Sequence, residues 1–145
     1  MRIEFSVQGV PPKKHGEKSM WARGDEAPRV ALLRQEALRA RSEAGVTGCL
    51  SSFLSVELTL LVPAKDLEKV GDLDSFVAGV CDGLQAAHPN AHAFHSVFDS
   101  REHMDPKRPL LIEDDARVLS IRATKTLVNE GEEISYRVAV EEIGV

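Results

Sequence analysis

Three features are scarce in this chain: long apolar segments, cysteine and positive charge. Its longest apolar runs are far too short to span a bilayer, so the sequence predicts no transmembrane helix. The N-terminus lacks the apolar core of a secretion signal, and we expect none here. The two cysteines, Cys49 and Cys81, lie far apart, which favours free thiols and a reducing, cytoplasmic location. The net charge of −5 argues against nucleic acid as a partner unless the surface carries a local basic patch.

Periodic apolar residues mark the elements in the first half of the 145-residue chain, a length that favours one domain. Apolar and polar residues alternate over residues 3–7 and 54–62, which is typical of half-buried strands. Between them, residues 26–43 have the spacing of a helix, and we expect Asp25 to be its N-cap. The apolar stripe of this helix comprises Val30, Leu33, Ala37, Ala40 and Ala44, and Arg34 and Arg41 share another face.

The second half of the chain predicts one more helix and two more strands. The helix spans about 74–87, and the strands span residues 118–128 and 134–143 with a hairpin turn at residues 129–132 between them. No period holds over residues 86–110, which we interpret as an inserted surface loop with at most a short turn of helix. The order β-α-β-α-β-β predicts a mixed α/β fold.

A basic segment follows the first predicted strand. From Arg2 to Arg23 there are five Lys or Arg residues against two Glu. One interpretation is an arm that contacts nucleic-acid phosphates, with Trp21 as a stacking surface. The other is a solvated loop held in place by a buried tryptophan. The candidate phosphate contacts are Lys13, Lys14, Lys18 and Arg23, and Arg34 and Arg41 of the first helix are further candidates.

Two acidic clusters stand at the starts of predicted elements. Asp72 and Asp74 precede the second helix, and Asp114 and Asp115 precede the third strand. Each pair alone is explained by capping, because a carboxylate accepts hydrogen bonds from free N–H groups at a helix start. If the fold brings the clusters together, however, their mutual repulsion requires a cation. We therefore expect a Mg²⁺ or Mn²⁺ site with Lys125 supplying positive charge beside it.

Four histidines lie in the aperiodic segment. His88, His92 and His95 are spaced four and three residues apart, with His103 beyond them. On a helix they would share one face and could bind Zn²⁺. Pro89 and Asn90 disfavour a regular helix there, so we favour solvated loop histidines over a metal site.

The acidic residues and their surroundings resemble the RusA-type Holliday junction resolvases. The matching motifs are Asp72-Leu73-Asp74-Ser75 with the apolar helix after it, Asp82-Gly83-Leu84, and Asp114-Asp115 ahead of a strand that carries Lys125. The opening strand followed by Gly9 to Pro12 is also similar to the start of that family. The similarity covers the chain outside residues 86–110.

This resemblance implies a small homodimeric α/β endonuclease that nicks four-way DNA junctions with Mg²⁺, of a kind often encoded by prophages and acting in DNA recombination and repair. Asp72, Asp74 and Asp115 would be the catalytic metal ligands. Asp114 matches the other half of the acidic pair, and Lys125 matches a lysine of the strand.

Two residues depart from the family pattern. Ser75 stands where the family has Asn, and Ala78 stands where the family has a catalytic lysine. These differences and the acidic net charge keep a second function open: a binding or scaffold module that has the fold without the nuclease chemistry.

Overall fold

The computed structural model describes residues 1–14, 19–91, 93–99 and 105–144. It confirms the predicted α/β class and element order, with two helices and one four-stranded sheet. No helix in the described ranges is long and apolar enough to cross a bilayer. The elements are β1 (Arg2–Gln8), α1 (Ala27–Glu43), β2 (Phe53–Pro63), α2 (Leu73–Gly83), β3 (Val118–Val128) and β4 (Ser135–Ile143).

The strand order in the sheet is β1-β4-β2-β3. β4 runs antiparallel to both of its neighbours, whereas β2 and β3 are parallel. The predicted hairpin between β3 and β4 is therefore wrong, because β2 lies between them and the connection crosses its end. β4 pairs instead with β1 along one edge and with β2 along the other, which places Tyr136, Val138 and Val140 in the middle of the sheet, where they are at most 1% exposed.

The hydrophobic core lies between the two helices and one face of the sheet. Val56, Leu58 and Leu60 of β2 are completely buried and contact apolar residues of α1 and α2. The predicted stripe of α1 is confirmed at Val30, Leu33, Ala37 and Ala40, which are buried, whereas Ala44 lies after the helix and is exposed.

The start of α1 differs from the prediction. Its N-cap is Glu26, which makes no capping hydrogen bond, and Asp25 accepts two hydrogen bonds from the Arg23 guanidinium. Glu26 is 2% exposed, and its Oε1 accepts a hydrogen bond from the backbone N–H of Lys13 at 3.0 Å. This hydrogen bond thus fixes the segment around Lys13, which lies between β1 and α1, to the start of α1.

Arg34 is a fully buried arginine in the middle of α1. Its two terminal nitrogens donate hydrogen bonds to four backbone carbonyls, and its guanidinium lies 5.1 Å from the centre of the Trp21 ring. Burial lowers the pKa of Arg34 to about 10, which still leaves it charged at neutral pH. The prediction that Arg34 contacts DNA is wrong, because the side chain is inside the protein. The four acceptors are the carbonyls of Gly83, Gln85, Asp105 and Arg108, at 2.6–3.0 Å.

Arg41 has a similar role about two turns further along α1. Its Nη1 donates a hydrogen bond to the Leu110 carbonyl at 2.7 Å. Like Arg34, it ties the helix to the segment after α2, so its role is structural rather than in a DNA-facing surface.

The segment after α2 is more than the surface loop that we predicted. Phe98 is 6% exposed and its ring centre lies 5.5 Å from that of Trp21, which is itself 5% exposed. These two rings form a second, smaller core with Met20, Ala27, Val30, Ala31 and Ala87. Of the two interpretations of Trp21, the buried one is confirmed. One 3₁₀ turn, Ser96–Phe98, lies in this segment.

Both cysteines are free thiols, as predicted. Cys81 lies on the buried side of α2, and burial raises its pKa to about 12. Cys49 is partly exposed, and burial also raises its pKa. Neither thiol has the lowered pKa of a reactive cysteine.

Candidate acidic site on the second helix

Asp72 and Asp74 stand at the start of α2, as predicted. Gly71, with a φ of +124°, turns the chain into Asp72, which occupies the N-cap position with extended backbone. The Asp72 side chain makes no capping hydrogen bond, and both carboxylates are exposed. Capping by a side-chain hydrogen bond therefore does not account for Asp72, although its charge still favours the positive end of the helix dipole.

A third carboxylate lies on the same side of α2. Asp74, Ala78 and Asp82 are spaced by four residues, so they lie along one face of the helix, with Asp82 about 12 Å further along its axis. The sequence analysis did not assign Asp82 to the site. The four-residue spacing from Asp74 is the signal that would have found it.

Asp115 lies close to the end of α2 that carries Asp82. Its backbone N–H donates a hydrogen bond to Gln85 Oε1 at 3.1 Å, and Asp115 itself is exposed. Its neighbour Asp114 has a capping role, because Asp114 Oδ1 accepts a hydrogen bond from the backbone N–H of Ala116 at 2.9 Å. The two members of this acidic pair therefore differ: one carboxylate caps a 3₁₀ turn, and the other is open.

Lys14 brings a positive charge to these carboxylates. Its backbone N–H donates to the Ser75 carbonyl at 3.3 Å, and its Nζ lies 3.0 Å from Asp82 Oδ2. The hydrogen bond and charge of Asp82 raise the pKa of Lys14, and the charge of Asp115 raises it further. The ammonium group thus counters two carboxylates that stand on separate elements.

Asp82, Asp115 and the Lys14 ammonium line one cavity. Its volume is about 510 Å³, and it opens between the end of α2, the basic segment and the start of the 3₁₀ turn before β3. Apolar contact area at its wall comes from Met20 and Trp21. A cavity of this size with a few converging charged groups is the usual form of a binding site. The charged and polar groups in its wall are Lys14, Ser19, Asp82, Gln85, His88 and Asp115.

The predicted three-carboxylate metal set is not preassembled in the described part of the chain. No group of three or more His, Cys, Asp or Glu side chains there is arranged to hold a metal ion. Asp72 and Asp74 stand at the first turn of α2, whereas Asp115 shares the cavity with Asp82. Mg²⁺ suits an open arrangement of this kind, because it commonly takes one or two carboxylates and completes its shell with water and substrate phosphates.

Lys125 lies far along β3 from Asp115. Lys125 is seven positions along β3 from Val118, at the start of the strand, which is a distance of about 23 Å. Its Nζ donates a hydrogen bond to the Leu67 carbonyl at 3.2 Å. The predicted role of Lys125 beside a metal stays a prediction, but the parallel strand carries it away from the Asp115 end of the sheet. Lys14 supplies the charge there instead.

The other basic candidates have different surroundings. The Nζ of Lys13 lies 5.2 Å from the centre of the Phe76 ring, at the first turn of α2. Arg23 forms a two-pronged ion pair with Asp25. Lys18 lies outside the described residues, so its predicted contact stays a prediction.

The two described histidines of the predicted cluster each stabilise a turn. The Nδ1 of His88 accepts a hydrogen bond from the N–H of Asn90, and that of His95 accepts one from Val97. His92 and His103 lie outside the described residues. For His88 and His95, the loop interpretation therefore fits better than a zinc site.

Gly79 allows the basic segment to lie directly on α2. A Cβ at this position would overlap the Pro12 carbonyl oxygen. Gly79→Ala should therefore destabilise the protein by about 1–3 kcal/mol, as overpacking does, although alanine is otherwise about 1 kcal/mol better than glycine in a helix. Thermal melting measures this change. Gly48→Ala is the control, since its added Cβ meets nothing within 4 Å; equal melting temperatures for the two variants would contradict the contact.

No model of a known protein family matches this chain, and no curated protein matches it either. Its function therefore has to be argued from its own residues and their arrangement.

Proposed function

We propose that this protein is a RusA-like, Mg²⁺-dependent endodeoxyribonuclease that cleaves branched DNA such as four-way junctions, and that it works as a cytoplasmic homodimer. The observation that supports this best is the cavity in which Asp82 and Asp115 face the Lys14 ammonium. A phosphodiester-cleaving site needs carboxylates at an opening that a metal and a phosphate can enter. Of the aspartates of the resemblance, Asp115 lines this cavity, and Asp72 and Asp74 stand at the start of the helix that carries Asp82.

In this proposal Asp72, Asp74 and Asp115 are the metal ligands, and Asp114 stands beside Asp115 in the chain. Asp82 lies about 12 Å along α2 from Asp74, so it is an alternative partner of Asp115 at the cavity rather than a further ligand of the same ion. The chemistry that Mg²⁺ supplies when bound by carboxylates is polarisation of the phosphodiester and activation of water. The carboxylates also orient the attacking water. Mn²⁺ can take the same oxygen ligands.

Substrate binding falls to the basic segment in spite of the negative net charge. Lys14 is 61% exposed at its side chain, so its ammonium can exchange its contact with Asp82 for a DNA phosphate. Lys13, Lys18 and Arg23 extend the basic surface along the same stretch of chain. Each phosphate contact contributes about −0.9 to the slope of log affinity against log salt.

A scaffold or binding module without catalysis is the second candidate. The observations that favour it are the lack of a ready three-ligand group among the described residues, and Ala78 in place of the family lysine. In that case Asp82 serves to fix Lys14 and the basic segment, and the cavity binds a partner without cleaving it.

A nicking assay separates the two candidates. We expect the protein to cut a four-way junction faster than linear duplex of the same sequence, with Mg²⁺ or Mn²⁺ and not with a chelator. The measurement is single-turnover cleavage of end-labelled strands, resolved on a denaturing gel.

If no nicking is observed, thermal melting with the same metals shows whether the protein binds a metal at all. A site that binds Mn²⁺ gains about 2.7 kcal/mol at a metal concentration of 100 times Kd. Stabilisation without cleavage would favour a metal-binding module, and neither effect would favour the scaffold and contradict the nuclease.

A further inference from the structure

The outer edge of β3 is open in the described structure. β3 is the last strand of the sheet and pairs only with β2. Three large apolar side chains of this strand, Leu119, Ile121 and Leu127, are 59%, 54% and 58% exposed. Ile121 and Leu127 pair in register with Val56 and Val62, so they lie on the face that carries the core. The core face of the sheet therefore continues past the helices and ends uncovered at β3.

The opposite edge of the sheet is protected. Ile3, Phe5 and Val7 of β1 are at most 6% exposed, because α1 covers them. The residues between them, such as Glu4, are polar, and Arg2 forms ion pairs along this edge. Charged edges of this kind prevent strand addition, whereas a long apolar edge invites it. Of the two edge strands of the described sheet, β3 is the one with a long, exposed, apolar edge.

We propose that a second copy of this chain pairs with β3 in antiparallel orientation about a two-fold axis at Ala123. Such an axis is perpendicular to the sheet, so paired residues must come from the same face. Ala123 is the midpoint of residues 118–128, and only an axis there pairs the whole strand with itself. Leu119 then lies opposite the partner's Leu127, and the small Ala123 side chains face each other across the axis.

Charge favours this register and this occupant. With the axis at Ala123, Arg122 lies opposite the partner's Thr124 and Lys125 opposite the partner's Ile121, so no like charges lie directly opposite each other. An axis at Arg122 would put two guanidinium groups opposite each other, which is unfavourable. An axis at Thr124 would place the exposed Leu119 opposite Asn129, beyond the end of the strand.

The resulting dimer joins two four-stranded sheets into one. Because the axis is perpendicular to the sheet, α1 and α2 of both copies lie on the same side. Their apolar β3 residues close against each other in the gap between the helix layers. This pairing does not depend on the nuclease proposal, and it specifies how the two copies would meet if that proposal is correct.

Cysteine cross-linking tests the pairing at the axis. In a Cys49→Ser background, Ala123→Cys should give a disulfide-linked dimer on mild oxidation, since directly opposite residues bring their Cβ atoms within about 5.5 Å. Leu127→Cys is the control: it lies on the same face of β3 and is more exposed than the half-buried Ala123, but it faces the partner's Leu119. The remaining Cys81 is buried. Cross-linking of both variants at equal rates, or of neither, would overturn the proposal.

Charge substitution at Ile121 tests the same register without oxidation. Ile121→Lys places a second ammonium opposite the partner's Lys125, whereas Ile121→Glu places a carboxylate there. The dimer dissociation constant, measured by analytical ultracentrifugation, should be about tenfold higher for the Lys variant than for the Glu variant. Two results would overturn the proposal. One is a wild-type protein that is still monomeric at about 100 µM, a concentration at which even weak association is seen; the other is an equal dissociation constant for the two variants.

Discussion

Replacement of Asp115 or Asp72 by Asn should abolish cleavage of a four-way junction while leaving junction binding intact or tighter. Each substitution keeps the shape of the side chain and removes the charge that holds a divalent cation. The loss should exceed the roughly 10–100-fold that removal of a group behind a metal ligand costs. Binding should persist because removing a negative charge reduces repulsion of the DNA phosphates. Single-turnover nicking and a gel-shift titration measure the two effects separately.

The control for this pair is Asp99→Asn, an exposed aspartate just after the 3₁₀ turn that follows α2. It removes the same charge at a position outside the cavity wall. Nicking by this variant should equal that of the wild-type protein. Wild-type nicking by Asp115→Asn would remove the site assignment.

Asp82→Asn locates the site along α2. The structure places Asp115 with Asp82, at the far end of the helix from Asp72. If Asp82→Asn abolishes nicking and Asp72→Asn does not, the ligands are those of the cavity rather than the set implied by the resemblance. If all three substitutions abolish it, the site extends along the whole helix face.

Replacement of Arg34 by Met should destabilise the protein by about 3–5 kcal/mol, because each buried carbonyl that loses its hydrogen-bond donor costs about 1–3 kcal/mol. Methionine fills a similar space but donates no hydrogen bonds. The four carbonyls that Arg34 binds, at 2.6–3.0 Å, would lose their donor inside the protein. For a chain of this size, 1 kcal/mol shifts the melting temperature by about 2–4 °C. We therefore expect a drop of about 10 °C or more, measured by circular dichroism.

Arg39→Met is the matched control in the same helix. Arg39 is 56% exposed at its side chain, and it pairs with Glu36 and Glu43 on the surface. Such pairs contribute about 0–1 kcal/mol, so this variant should melt within a few degrees of the wild-type protein. Arg34→Lys should not rescue stability, because a single ammonium cannot replace the planar fork that reaches carbonyls on both sides. A stable Arg34→Met variant would contradict the structural role.

The sequence predicted the elements well wherever burial follows a local period. The alternation over residues 54–62 identified β2, and the three-and-four spacing of Leu33, Ala37 and Ala40 identified the buried face of α1. It also placed Asp72 and Asp74 at the start of α2, because the polar stretch ends where the apolar run begins. Periodicity reports which side of an element is buried, and that information is local.

The neighbours of each element were decided only by the tertiary structure. A local pattern does not state which strand lies beside β4, so the near succession of β3 and β4 suggested a hairpin where the sheet inserts β2. The same holds for charge. Arg34 looked like a surface arginine because its four carbonyl partners come from the distant end of α2 and the segment after it.

The candidate site shows the same division. The sequence by itself determined that aspartates gather at the starts of elements, since those residues and their spacing are local. Only the fold decided that Asp115 lies in one cavity with Asp82 and Lys14. The fold also decided that Lys125 lies far along β3 from that cavity. Side chains far apart in sequence come together through strand order and helix packing, which depend on the burial of the whole chain at once.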